Sequence, residues 1–319
     1  MNALQKQLES ELQRFDLPVR RVETVFIGGG TPSTVSPELY KPIFRLIQPY
    51  LAEDAEITTE ANPNSATASW LQGMKELGVN RISFGVQSFH DEKLKFLNRA
   101  HNGKEAVRAV YDAYNTGIQN ISIDLIYATV MDTKKLLEED LQQAFALPIN
   151  HISAYALTIE EGTVFETTPE VAKEKLSLTN FVFDTIKNHG FSQYEISNFG
   201  RYQSRHNLGY WQYKDYIGAG SGAVGCKQGV RYYPSQDIHA YIQDPLHVRE
   251  EALSQEEQKT EKLFLGLRSI VGVDEHILNK SERQRAETLT KEKKLFFSEG
   301  RFYNSNYLLS DEIALFILN

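Results

Sequence analysis

Short runs rich in β-branched and aromatic residues recur along the chain, separated by stretches whose apolar residues follow a helical spacing. VETVFI (22–27), AEITTEA (55–61), NRISFGV (80–86), NISIDLIYA (120–128), HISAYALT (151–158) and SQYEISNF (192–199) each read as a β-strand. Their starts lie roughly 25 to 40 residues apart, the repeat of strand and helix units joined by right-handed crossovers. Between them PELYKPIFRLIQPYL, ASWLQGMKELG, KEAVRAVYDAYNTG and KKLLEEDLQQAFAL carry apolar residues at helical spacing, and two of these stretches stop at glycine. Ser36 followed by Pro37 supplies a cap and first-turn pair. The pattern predicts a parallel α/β fold.

Charged residues cluster over Pro245 to Glu257 and a new helical run, EKLFLGLRSI, follows. This shift predicts a large domain over 1–250 and a small, mainly helical C-terminal domain over 251–319 that ends in a unit with one hairpin, RFYNSNYLLSDEIALFILN. The opening residues, NALQKQLESELQRF, form a charged amphipathic helix pattern rather than the apolar centre of a signal peptide. No apolar run reaches the length of a membrane span. A cytoplasmic location is the expectation.

Composition narrows the partners. The chain has 319 residues, 41% hydrophobic and 24% charged, enough for a full core, and its formal net charge is −8. With a pI near 5.6, a nucleic-acid backbone or an anionic membrane surface is a poor match, and a small molecule is the better one. Cys226 is the single cysteine, so these residues form neither an internal disulfide nor a metal site with several thiolates.

In a parallel α/β barrel, ligands lie where the C-terminal strand ends converge. Those ends carry Gly28, Gly29, Gly30 and Thr31; Glu60 and Asn62; Gln87 and Ser88; Asp124; Tyr155; and Glu195, Ser197 and Asn198. Caps and turns explain any one of them. Asp124 resists that explanation, because a carboxylate inside ISIDLIYA needs a partner or a ligand. The glycines, having no Cβ, can bring backbone groups close to a ligand or make a tight turn; no GK[ST] follows, which excludes a triphosphate-binding loop. A second glycine run, YIGAGSGAVG, is followed by CKQGVRYYPSQD and not by a helix, so it reads as a closely packed loop and not as a dinucleotide fingerprint. In RHNLGYWQYKDY, His206 sits among Tyr210, Trp211 and further aromatics, as a metal ligand, a pocket wall for a flat aromatic ligand such as a porphyrin, or a hydrogen-bonded core histidine would. His101 and His151 read as structural.

The ordered series GGGTPS, EANP, NRISFGVQSF, IDLIY, QYEISNF, HNLGYW and DYIGAGSGAVG resembles the radical S-adenosylmethionine proteins related to oxygen-independent coproporphyrinogen III oxidase, in particular the haem chaperone branch. The likeness spans about residues 20 to 230 and continues more weakly after about 255. It implies a partial parallel (β/α) barrel lacking its first strand, with S-adenosylmethionine at the mouth. On that likeness Gly30 and Thr31 meet the methionine end, Glu60, Gln87, Arg99 and Asp124 complete the polar contacts, Ala156 and Val224 pack about the adenosine, and His206 is the haem-associated residue.

Two departures stand out. Ala128 follows IDLIY where the family has glycine, a change expected to tighten the loop without abolishing the site. The family's CxxxCxxC, whose thiolates hold a [4Fe–4S] cluster, has no counterpart here, and the expectation is an N-terminally shortened form. The implied function is to bind haem and S-adenosylmethionine and pass haem to an acceptor protein. The alternatives are the radical oxidase that decarboxylates coproporphyrinogen III and an unrelated barrel enzyme using Glu60 and Asp124 as acid and base.

Overall fold

A computed structural model of the chain describes residues 1–159, 165–173 and 175–319. In order, the elements are α1 (Asn2–Arg14), β1 (Val22–Ile27), α2 (Pro37–Ile47), β2 (Leu51–Ala61), α3 (Ala68–Glu76), β3 (Arg81–Gln87), α4 (Asp91–Phe96), α5 (Gly103–Asn115), β4 (Asn120–Tyr127), α6 (Lys134–Phe145), β5 (His151–Ala156), α7 (Leu176–Asn188), β6 (Ser192–Gln193) and β7 (Asn198–Gly200). There follow α8 (Arg205–Trp211), β8 (Gly225–Lys227), β9 (Val230–Pro234), α9 (Ile238–Gln243), β10 (Val248–Ala252), α10 (Gln255–Leu267), β11 (Val273–Asp274), α11 (Lys280–Lys291), β12 (Leu295–Ser298), β13 (Arg301–Asn304) and α12 (Ser310–Leu318).

The chain divides into two compact units, one of residues Thr24–Glu38 and Glu56–Gln203, the other of Met1–Glu23, Leu39–Ala55 and Ser204–Asn319. The first holds a curled, seven-stranded half-barrel sheet in the order β1-β2-β3-β4-β5-β7-β6. β2, β3, β4 and β5 pair in parallel, as the strand and helix repeat predicts. The residues read as a sixth strand differ: β6 and β7 form an antiparallel pair, and β7 also runs antiparallel to β5. Local polar chemistry reverses the chain there. Tyr194 N donates to Asn198 O, Gln193 Nε2 to Ile196 O, and Ser197 N to the Glu195 carboxylate at 2.8 Å, which folds QYEISN into a turn.

Strand alternation gives this sheet two chemically different faces. Ile82, Phe84 and Val86 of β3, Ile121 and Ile123 of β4, and Ile152 and Ala154 of β5 are fully buried and form the apolar face. The other face carries Glu56, Thr58 and Glu60, then Arg81, Ser83 and Gly85, then Ser122 and Asp124, then His151 and Ser153. Register lines them up in rows, Glu60 beside Ser83 beside Ser122 beside His151, and Asp124 beside Ser153 beside Asn198. His151 is buried between Ser122 Oγ and Tyr194 OH, both 2.7 Å from its ring nitrogens, and burial pushes its pKa well down.

Behind the C-terminal ends of β3 and β4, Lys93 of α4 is completely buried. Its Nζ donates to Ile126 O and to Asp132 Oδ1, each at 2.7 Å, and lies 3.8 Å from Asp140 Oδ2. Asp132 also accepts from Thr129 N and Oγ1, and Asp140 from Ser88 Oγ and Phe89 N. The strand-end loops 88–89 and 129–132 are thereby tied to α4 and α6. Ala128, 2% exposed and next to this anchor, is held at φ +63°, a left-handed conformation that favours glycine.

In the second unit the N-terminal pattern forms helix α1. Its Gln7 is buried and accepts from Gly220 N and Tyr241 OH, each at 2.8 Å. β8, β9 and β10 form one antiparallel sheet, β11, β13 and β12 another. Leu263, Leu267, Val273, Ala286, Leu289, Leu295, Phe302, Ile313, Ala314 and Ile317 make a hydrophobic core of their own. The glycine run closes on itself: a Cβ on Gly218 would lie 2.3 Å from the backbone of Val224.

Replacing Lys93 with Met leaves Asp132 and Asp140 buried without their cation, and urea unfolding should show a loss of about 3–5 kcal/mol. Ala128→Gly should move the other way, raising stability by about 0.5–1 kcal/mol in the same assay, because it removes the left-handed strain at some cost in unfolded-chain entropy.

Candidate functional site

The turn after β1 is built from glycines for two different reasons. Gly29 has φ +105°, which residues with a Cβ rarely adopt, and a Cβ on Gly28 would come within 2.5 Å of the Phe26 ring and 3.1 Å of Glu60 Oε2. The chain thus passes against Glu60, and Gly29 N–H donates to its carboxylate. Pro32 then opens a single helical turn, Pro32–Thr34. Buried Ser33 binds this turn to the one after β2: its Oγ lies 2.6 Å from Ser65 Oγ and accepts from Asn62 N at 3.0 Å. Trp70 Nε1 adds a bond to Val35 O at 2.9 Å.

Beside this turn lies a polar cavity of about 180 Å³. Gly30, Thr31, Pro32, Glu60, Ala61, Asn62, Ser83, Gly85, Gln87, Arg99 and Asp124 line it. Burial raises the pKa of Glu60, and the Asp124 carboxylate raises it further, while the Gly29 N–H opposes both. Asp124 is also raised, by burial above all, against hydrogen bonds from Ser153 and Ser83, the latter at 3.2 Å, and the charges of Arg81 and Arg99. Two carboxyls raised by burial, with a guanidinium in the same cavity, are chemically complementary to a ligand bearing an ammonium and an anionic group.

Gln87 ends β3 at a break in its register with β4 and has φ +66°, although it is buried. A glutamine held in the left-handed region at the wall of a cavity is local strain of the kind that accompanies function. Its Oε1 accepts from Tyr155 OH at 3.1 Å. Arg99 follows Asn98, another left-handed residue at φ +54°.

Of the residues singled out from sequence, Gly30, Thr31, Glu60, Gln87, Arg99 and Asp124 come together around this one cavity. Ala156, at the end of β5, is not part of its lining. Val224 and His206 belong to the other unit. There His206, on α8, packs edge-on against Tyr210 with ring centres 5.0 Å apart, and Tyr210 packs edge-on against Tyr216 at 4.8 Å. His206 Nε2 lies 3.2 Å from Tyr210 OH. His101 is buried and bonds Val86 O at 3.0 Å. Ser83 and Gly85 were missed from the sequence; the alternation of RISFGVQ places them on one face with Arg81, and that face is the polar one. Among the described residues no group of three or more His, Cys, Asp or Glu side chains is placed to hold a metal ion, and no helix is long and apolar enough to cross a membrane.

Residues 4–144 match the family model of the Radical SAM superfamily. The heme chaperone HemW of Lactococcus lactis subsp. lactis is 32% identical over 287 residues, covering 86% of this chain and 75% of the relative. HemW of Bacillus subtilis is 35% identical over 291 residues, covering 86% and 76%. The structure of coproporphyrinogen III oxidase (HemN) from Escherichia coli, a radical SAM enzyme, superposes with a TM-score of 0.80 at 18% identity, over 99% of this chain and 82% of that one, which establishes the common fold. With a third of its residues shared across three quarters of the HemW chains, and the half-barrel of HemN, the protein belongs to the radical SAM family of HemN-like haem chaperones.

Proposed function

We propose that this protein binds haem and S-adenosylmethionine and hands haem to an acceptor protein. The observation that carries the reading is the identity with HemW chaperones over most of both chains, and the polar cavity supports its S-adenosylmethionine part. The donor set suits the amino-acid end of that cofactor: Glu60 and Asp124 take the ammonium, while Arg99 and the backbone at Gly30 and Thr31 take the carboxylate. Gln87 adds a further polar contact, and Ala156, at the end of β5, is the candidate for packing about the adenosine. When bound, the cofactor supplies an electrophilic sulfonium.

The family's [4Fe–4S] cluster does not fit the residues in hand. They contain one cysteine, Cys226, which is buried in β8, and its thiol is pushed up chiefly by that burial. Three thiolates are required. No chemical step is therefore assigned to a cluster.

His206 is the candidate haem-associated residue, and Tyr210 and Tyr216 beside it would offer aromatic surface to the macrocycle. A domain break near residue 250, giving 1–250 and 251–319, belongs to the same proposal; the core spanning residues 263–317 supports it, while the compact unit that holds it also takes in residues from Ser204 and the N-terminal segments.

Hemin titration followed by Soret absorption should saturate near one haem per chain, and His206→Ala should weaken binding at least about tenfold; equal binding by the variant would sink the assignment of His206. The raised carboxyls set a pH dependence. S-adenosylmethionine affinity, measured by equilibrium dialysis, should hold at neutral pH and fall as acid protonates Glu60 and Asp124, starting above the ordinary carboxylate range. The ligand-free fold should gain from these two groups over the same window, because the folded state binds their protons more tightly than the unfolded chain does. Glu60→Gln should accordingly raise stability at neutral pH by about 0.5–1 kcal/mol while weakening cofactor binding.

A further inference from the structure

Gly85 leaves a bare patch in the cavity wall, and two side-chain amides flank it. A Cβ at Gly85 would lie 3.1 Å from Gln87 Nε2 and 3.5 Å from Asn62 Oδ1. One donor and one acceptor thus stand side by side where a side chain would otherwise fill the space. Each amide has a hydroxyl at its other end. Asn62 Nδ2 is 3.4 Å from Thr31 Oγ1, and Gln87 Oε1 accepts from Tyr155 OH at 3.1 Å.

An amide can rotate by half a turn and exchange its oxygen for its nitrogen with little change in shape. If Gln87 did so, its carbonyl would face the cavity beside Asn62 Oδ1, and a ligand's acceptor would find no donor from these two amides at that point. Something must choose between the two orientations. The phenol of Tyr155 spends its proton on Oε1 in the observed orientation, and burial first and the nearby Asp124 charge second push its pKa up to about 12, so that proton is kept; with the amide turned, the phenol oxygen would accept from Nε2 and its own proton would lose this acceptor. The ring comes from β5, next to β4 in the sheet, and so reaches Gln87 from outside the cavity lining.

We propose that Tyr155 is a positioning residue whose hydroxyl holds the Gln87 amide with Nε2 turned toward Gly85, so that the cavity offers an N–H donor at that point. This orientation exists before any ligand arrives. Its consequence for cofactor affinity rests on reading the cavity as an S-adenosylmethionine site; the orientation itself does not.

The test therefore has two readouts on the full chain. In ¹⁵N-labelled, ligand-free protein the Gln87 side-chain NH₂ signals are identified by their loss in Gln87→Ala. They should be sharp and well separated in the wild type, and broaden or move toward free-amide positions in Tyr155→Phe, with an unchanged melting temperature. Identical Gln87 signals in the wild type and Tyr155→Phe would overturn the proposal. In equilibrium dialysis, Tyr155→Phe should weaken S-adenosylmethionine binding about fivefold, and the same substitution in a Gln87→Ala background should change nothing further. An equal loss in both backgrounds would show that Tyr155 acts on the ligand other than through Gln87, which also overturns it. A wild-type chain that shows the expected amide signals but binds no S-adenosylmethionine would instead remove the cofactor reading and leave the positioning role standing.

Discussion

The buried ammonium of Lys93 is the contact on which the site side of the half-barrel depends. A charge without solvent is costly unless every donor finds an acceptor, and here Ile126 O, Asp132 and Asp140 surround it. Burial pushes the Asp140 carboxyl up, and the Lys93 charge is the main force holding it down. Because Asp132 also takes the Thr129 N–H and Asp140 the Phe89 N–H, the cation fixes two loop backbones through its counter-ions. Those loops begin one residue after Gln87 and one residue after Ala128. The positions of the β3 and β4 ends therefore rest on one lysine that touches no part of the cavity.

That anchoring explains how the strained residues persist. Gln87 and Ala128 both adopt left-handed backbone conformations at the ends of adjacent parallel strands, and neither is glycine. Such residues hold only where their surroundings determine them more strongly than their own preference does. On one side of each lies a strand of the parallel sheet, β3 with a register break just before Gln87 and β4 in register with β5; on the other lies the lysine cage. The chain between has no freedom to relax.

Much of this was legible in the sequence. The strand and helix repeat predicted the parallel core, and of the polar residues and glycines named at strand ends Gly30, Thr31, Glu60, Asn62, Gln87 and Asp124 line one cavity, while Ser88, Tyr155, Glu195, Ser197 and Asn198 are not part of its lining. The signals that failed share a cause. SQYEISNF has the composition of a strand, but Glu195 and Gln193 bond to nearby backbone and reverse it, and composition is blind to which donors a side chain will reach. Lys93 in DEKLKF looks like any exposed helix lysine, because its acceptors are supplied by residues 33 to 47 positions away. Ser83 and Gly85 lie inside NRISFGV rather than at its end, and only its alternation with Arg81 marks the polar face they share.

The same alternation changes the meaning of Asp124. Within ISIDLIY it stands out as a charge in an apolar run, yet Ser122, Ser153 and Ser83 occupy neighbouring positions on its own side of the sheet. Its direction is ordinary; its charge is not, since Ser83 and Ser153 offer hydrogen bonds and burial still dominates its pKa. Glu60 lies on the same face and feels the Asp124 charge. A sheet built only for stability would place a serine or threonine at one of these positions, as it does at Thr58 and Ser122. Two carboxyls raised chiefly by burial, with a guanidinium in the same cavity lining, oppose folding at neutral pH, and a positively charged ligand group is what would relieve them.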